Sequence, residues 1–150
     1  FAGFNHRYSV VTGVGRTWTN TDNGRFKTDV GGTYTLQEDV QAAGERRGFG
    51  GVRVTVEGAR TLTETTDLET TFVLDENLKD TDDLRFDWTS SVAVSLTEGL
   101  ALKTSYQLVF DNVPALIDVP LVDGGTEIGT VTVPSQEFDS FFTLSLVIRL

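Results

Sequence analysis

The chain has 150 residues, 12 Lys and Arg against 22 Asp and Glu, a formal net charge of −10, one His, no Cys and no Met. That length suits a single domain, 1–150, and without Cys there is no disulfide frame, thiolate metal site or Cys nucleophile. The acidity repels nucleic acid and anionic surfaces at long range, and a first residue that is Phe1 points to a processed product or a fragment.

Thr, Val, Leu, Gly, Asp and Phe dominate, with only 3 Pro, a composition that favours strands. Helical periodicity never persists beyond a turn or two, so the chain reads as all-β. Seven segments alternate, each with one apolar face and one polar or small face. Segment 8–19 opposes Tyr8, Val10, Val14 and Trp18 to Ser9, Gly13, Gly15 and Thr17. Asn23-Gly24 then predicts a type I′ hairpin turn, which needs positive φ at both central residues. Segment 26–37 opposes Phe26, Val30, Tyr34 and Leu36 to Lys27, Asp29, Thr33 and Thr35. Segment 51–63 opposes Val52, Val54, Val56 and Leu62 to Arg53, Thr55, Glu57 and Thr61, and segment 67–77 follows with Leu68, Phe72 and Leu74, although Val73 breaks its polar face. Segments 84–96 and 100–111 place Leu84, Phe86, Trp88 and then Leu102, Tyr106, Leu108 on the apolar side, against Arg85, Asp87 and Lys103 on the other. The last segment, 141–150, sets Phe142, Leu144, Leu146, Ile148 and Leu150 against Thr143, Ser145 and Arg149.

Connections alternate as well. Those at 20–25, 63–66 and 97–99 are tight, whereas 37–50, 78–83 and 112–136 are longer and polar or irregular. Short turns at one end and long loops at the other suit an up-and-down, antiparallel transmembrane barrel, whose strands of about ten residues cover an apolar band of about 25 Å. In that topology the lumen receives Lys27, Asp29, Arg53, Glu57, Arg85, Asp87, Lys103 and Arg149, and lipid meets Leu102, Leu108, Phe142, Leu144, Leu146 and Ile148. Tyr8, Tyr34, Trp88 and Tyr106 gather toward the outer strand ends and Trp18 and Phe26 toward the periplasmic ends, as two aromatic girdles. A soluble sandwich or lipocalin-like binding barrel produces the same periodicity with the apolar face turned inward, and periodicity alone leaves both open.

Particular residues carry a resemblance. His6-Arg7-Tyr8-Ser9 precedes Gly13-Val14-Gly15 and an Asn-Thr-Asp turn. Further on come 48–53 (Gly-Phe-Gly-Gly-Val-Arg), 81–85 (Thr-Asp-Asp-Leu-Arg) and 95–106, from Ser95-Leu96-Thr97-Glu98-Gly99 to Tyr106. In order and spacing these resemble the salt-induced outer-membrane protein family, domain of unknown function 481, over essentially the whole chain. The resemblance implies the C-terminal two-thirds of such a barrel, in a bacterial outer membrane. Its partners would be outer-membrane lipid and lipopolysaccharide, with the barrel-insertion machinery during biogenesis. A descending last strand makes the first descend too, so an odd number of strands is expected upstream, and the resemblance implies five, or about twelve in all. Alternatively, 127–133, with its Thr-Val-Thr-Val alternation, supplies an eighth strand or an extracellular hairpin.

Chemistry is sparse. His6 is the one histidine, and Ser9, three positions on, falls on the opposite face of an extended chain, so the pair makes no nucleophile and base. Gly13-Val14-Gly15 lies within a strand with no helix behind it, unlike a dinucleotide loop. Asp75, Glu76, Asp80, Asp82 and Asp83 read as a solvated acidic loop, and their spacing matches no EF-hand. The 44–48 stretch, around Arg46 and Arg47, reads as an exposed loop. No enzyme, cofactor or metal site is expected, and the role is structural or stress-associated, with a small passive pore as the alternative.

Overall fold

The computed structural model describes residues 4–39, 46–114 and 116–148. Strands β1 (Phe4–Thr21), β2 (Gly24–Asp39), β3 (Arg46–Thr63), β4 (Thr66–Asn77), β5 (Leu84–Thr97), β6 (Leu100–Asp111) and β9 (Phe138–Ile148) form one antiparallel meander in that order. Strands β7 (Leu116–Asp123) and β8 (Thr126–Pro134) pair only with each other. The irregular 112–136 connection is therefore mostly a hairpin. The extra strand foreseen at 127–133 belongs to it and not to the main sheet. Arg149 and Leu150, with 40–45, lie outside the described residues.

Strands outrun the alternating segments that announce them. Both β1 and β3 reach 18 residues, because polar residues keep the ladder going wherever a partner continues: Glu38 still stands opposite Arg46, with Arg46 Nε 3.8 Å from its carboxylate. β4 by contrast keeps the bounds of segment 67–77, so Asp75 and Glu76, which fall in that segment and were also read as part of an acidic loop, belong to the strand.

The tight turns correct the sequence reading. Asp22 and Asn23 form the first, Gly24 already begins β2, and among the described residues positive φ occurs only at Gly124 (58°) and Gly125 (86°). The primed turn is thus the one joining β7 to β8, while the three turns of the sheet do without positive φ. Each of those is preceded by a break in register, at 17–19, 61–63 and 95–97, which leaves Trp18, Leu62 and Leu96 as extra residues. A bulge adds twist and bends the strand, offsetting the splay of an unprimed turn.

The first two strands approach each other closely at a pair of glycines. Gly13 faces Gly31 across the β1–β2 ladder, and a Cβ at Gly13 would collide with the Val30 carbonyl, while one at Gly31 would sit 2.7 Å from the Thr12 carbonyl. Two glycines let these backbones close in on one face. The result is a curled sheet. Arg7 on β1 and Arg85 on β5 line one small cavity, although on a flat sheet four strand spacings would part them by roughly 19 Å.

Candidate functional site

Because directly opposed residues share a face, the register sorts every side chain of the sheet to one of two surfaces. The convex surface carries most of the large apolar residues of the sheet, although Val11, Phe49, Val73, Val109, Phe141 and Val147 share the other face. Val14 and Val30 are opposed on it, as are Val54 and Leu74, Phe72 and Trp88, Leu102 and Leu146, Tyr106 and Phe142. They form no core. Val14 is 81% exposed, Val10 and Phe142 71%, and Ala101, at 3%, is the one buried apolar residue among those described. Burial has gone to the concave surface instead, where Thr35 and Ser91 are the buried polar residues.

On the convex surface, charge occurs only at the two ends. Toward the long connections stand Glu38, Arg46 and Glu76, and toward the tight turns Arg16 and Arg60. Between them, uncharged residues run from Gly48 to Gly58 on β3, Leu84 to Thr97 on β5, Leu100 to Phe110 on β6 and Phe138 to Ile148 on β9. The 11 residues of β9 cover about 28 Å at roughly 3.4 Å each and a tilt near 40°.

Aromatic rings edge this belt. Toward the long connections Phe86 packs on Phe110 (centroids 5.1 Å apart) and Phe110 on Phe138 (4.7 Å), with Trp88 edge-on to Tyr106 at 6.2 Å. Tyr8 and Tyr34 stand on the same surface of β1 and β2. Toward the turns, Trp18 donates its indole N–H to Thr28 Oγ1 at 2.8 Å, the Arg16 guanidinium lies 4.3 Å from its ring, and Phe26 is close by on β2. The residues expected to face lipid, Leu102, Leu108, Phe142, Leu144, Leu146 and Ile148, all belong to this surface.

The concave surface holds the opposite chemistry, in rows. Gly13, Gly31, Arg53, Asp75, Arg85 and Asp111 follow one another across β1 to β6, and the charges alternate in sign. Arg53 grips Asp75 with both Nε and Nη2, at 2.7 and 2.8 Å. Such forked pairing is stronger than a single contact. Arg85 Nε stands 3.3 Å from Asp111 Oδ2 and 2.7 Å from Asp83 Oδ1, both as charge contacts and neither as a hydrogen bond. One row on, Asp87 accepts from Gln107 Nε2 at 2.6 Å and Thr89 Oγ1 at 3.2 Å. Lys27 pairs with Asp29 at 2.8 Å, Arg25 lies 4.0 Å from Glu57, and Lys103 reaches Glu69 at 3.0 Å. Lys27, Asp29, Arg53, Glu57, Arg85, Asp87 and Lys103 are therefore on one surface, as their positions in the sequence predict. Asp111 also stands where segment 100–111 sets it, on the polar face with Lys103. Missed in the sequence were the partners Glu69, Asp75 and Asp83. Asp75 and Asp83 were hidden among acidic neighbours, yet Asp75 is two positions from Val73 and so shares its parity.

Space inside is uneven. A pocket of about 20 Å³ lies among Arg7, Arg53, Asp75 and Arg85, another of about 200 Å³ lies beside Gly13, Gly31 and Arg53, and toward the tight turns a hollow of about 490 Å³ opens over Ala59, Ala93 and Ala101, edged by Arg25, Glu69 and Lys103. His6 faces the convex side opposite Glu38, while the Ser9 hydroxyl faces the other way, 2.8 Å from Thr35 Oγ1. Among the described residues no group of three or more His, Cys, Asp and Glu is placed to hold a metal ion, and no helix is long and apolar enough to cross a membrane.

No curated protein and no solved structure matches the chain. A family described as protein of unknown function, DUF481, matches residues 1–121, which takes in β1 to β6 and most of β7 and stops short of the remaining strands. An all-β, antiparallel up-and-down sheet with an uncharged convex belt and a charged concave face is thus the form taken by a chain that belongs to the DUF481 family.

Proposed function

We propose that this chain spans a bacterial outer membrane as part of a β-barrel with a structural or stress-associated role, non-enzymatic, its lumen filled by side chains. The uncharged belt on the convex face carries this reading. A soluble sheet would bury such a surface, since contiguous apolar patches this large are unusual against water. A lipocalin-like barrel would turn it inward, where this sheet places Arg53, Asp75, Arg85 and Asp111. The belt's height of about 28 Å meets the apolar band of about 25 Å that outer-membrane barrels present, and rings edge it at both ends. On this reading its partners are outer-membrane lipid and lipopolysaccharide and, during biogenesis, the barrel-insertion machinery. It takes no cofactor and no nucleic acid.

In the meander β1 and β9 are the edges and run in the same direction, so antiparallel closure takes an odd number of further strands. An open edge in lipid would leave backbone N–H and C=O groups unsatisfied. A small passive pore, the second reading, draws on the hollow near the turns. The charges that pair across the concave face at the other end, Arg53 with Asp75 and Arg85 with Asp111, support the filled lumen. The test is to refold the full-length protein with lipid vesicles and with plain buffer, then record bilayer conductance. Folding that requires lipid, without steady conductance, is expected. Folding to a monomer in buffer would overturn the membrane reading, and a steady open channel would favour the pore.

A further inference from the structure

The charges at the turn end of the sheet follow an order along the strands. Leaving the uncharged belt, the first charged residues on the convex face are both arginines, Arg16 on β1 and Arg60 on β3, and both are exposed. Beyond them, at the tips of the three tight turns, stand Asp22, Glu64 and Glu98, also exposed. On the convex face positive charge lies at the edge of the belt and negative charge at the turn tips, while Arg25, beside the first turn, is on the concave side 4.0 Å from Glu57. At the other end both signs occur, with Glu38 against Arg46 and Glu76 opposite Val52 on the next strand.

We propose that the turn end is built to seat ethanolamine phospholipids, whose phosphate lies next to the hydrocarbon and whose ammonium lies farther out. The inference rests on the membrane reading above and gives that surface its lipid. Arg16 and Arg60 meet the phosphate, and Asp22, Glu64 and Glu98 meet the ammonium. Arg60 is four residues from Glu64, roughly 13 Å along the strand and less after tilt. A long arginine stem can snorkel along apolar surface and carry its guanidinium part of that way, which shortens the gap between the two charges. Trp18, held by Thr28 and stacked under Arg16, fixes that guanidinium at the belt edge, where an indole settles at a membrane interface. A lipid with a phosphate and no ammonium satisfies the arginines but is repelled by the three acidic tips, and a choline headgroup offers them no N–H to donate.

The test is native mass spectrometry of the full-length protein in detergent micelles doped equally with phosphatylethanolamine and phosphatidylglycerol, counting retained lipids. Retention of the ethanolamine lipid several-fold above the glycerol lipid is expected. The R16Q/R60Q variant should lose both lipids, and D22N/E64Q/E98Q should reverse the preference toward phosphatidylglycerol. A wild type that prefers phosphatidylglycerol, or variants that retain lipid as the wild type does, would overturn the assignment while leaving the membrane reading intact. A folded protein that retains no lipid and enters no vesicle would overturn the membrane reading, and this inference with it.

Discussion

Arginine at position 144 should separate the two faces of β9 most cleanly. Leu144 is on the convex surface near the middle of the strand, opposite Thr104, with 63% of its surface exposed and no concave neighbour to receive a charge. A cationic side chain at the midplane of an outer-membrane barrel costs about 2 to 4 kcal/mol, which at 1.4 kcal/mol per decade is about 30- to 700-fold in the folding equilibrium. Its neighbour Ser145 points the other way and stands opposite Lys103. Ser145→Glu adds a carboxylate to a surface where Lys103 already pairs with Glu69, so it should change stability by less than about 1 kcal/mol. Urea unfolding of the vesicle-embedded full-length protein, followed by heat-modifiable migration on electrophoresis, gives both values. Equal losses for Leu144→Arg and Ser145→Glu would refute the face assignment. So would a Leu144→Arg protein as stable as the wild type.

Breaking the forked pair with Arg53→Met or Asp75→Leu should each cost about 1 to 3 kcal/mol, and the double variant should recover part of it, because the single changes strand a half-buried charge; a double-mutant cycle in urea measures the coupling. Gly13→Ala should destabilise by about 1 to 3 kcal/mol through its collision with the Val30 carbonyl, while Gly32→Ala, with nothing within 4 Å of the added carbon, should be neutral or stabilising in the same assay. A cysteine at Thr126, beside the tip of the β7–β8 hairpin, should react in intact cells with an impermeant thiol reagent, and one at Glu98 should not. His6→Ala should leave the phenotype and fold of the full-length protein unchanged, and loss of a hydrolase activity in that variant would expose a catalytic site.

Strand parity was the legible part of the sequence, and it was legible because a period of two survives any local irregularity that adds no residue. Val30, Val54 and Leu74 could be assigned to one face and Arg53 and Arg85 to the other without knowing a single contact. What parity cannot supply is register. Whether Arg53 meets Asp75 or Thr55 meets it depends on turn length and bulges, and the bulges at Trp18, Leu62 and Leu96 have no composition of their own. Asn23-Gly24 misled for the same reason, since a bulge plus an unprimed turn reaches the twist that a primed turn alone would give. The β7–β8 hairpin was half hidden by Pro120 and Pro134, which read as loop residues but are tolerated in a two-stranded ribbon with free edges. The face that lacks a core was visible as an apolar stripe, yet only the curl of the sheet shows it to be the convex one.

The central claim, that the convex belt meets hydrocarbon, is tested most directly by its own fluorophores. Trp18 and Trp88 are the two tryptophans, both on that surface and near opposite ends of it. With the full-length protein folded into vesicles whose acyl chains carry bromine at defined depths, emission should be quenched strongly by shallow bromines and weakly by those at the midplane. Emission that is unaffected by bromine at every depth, from protein that is folded and vesicle-bound, would contradict the account.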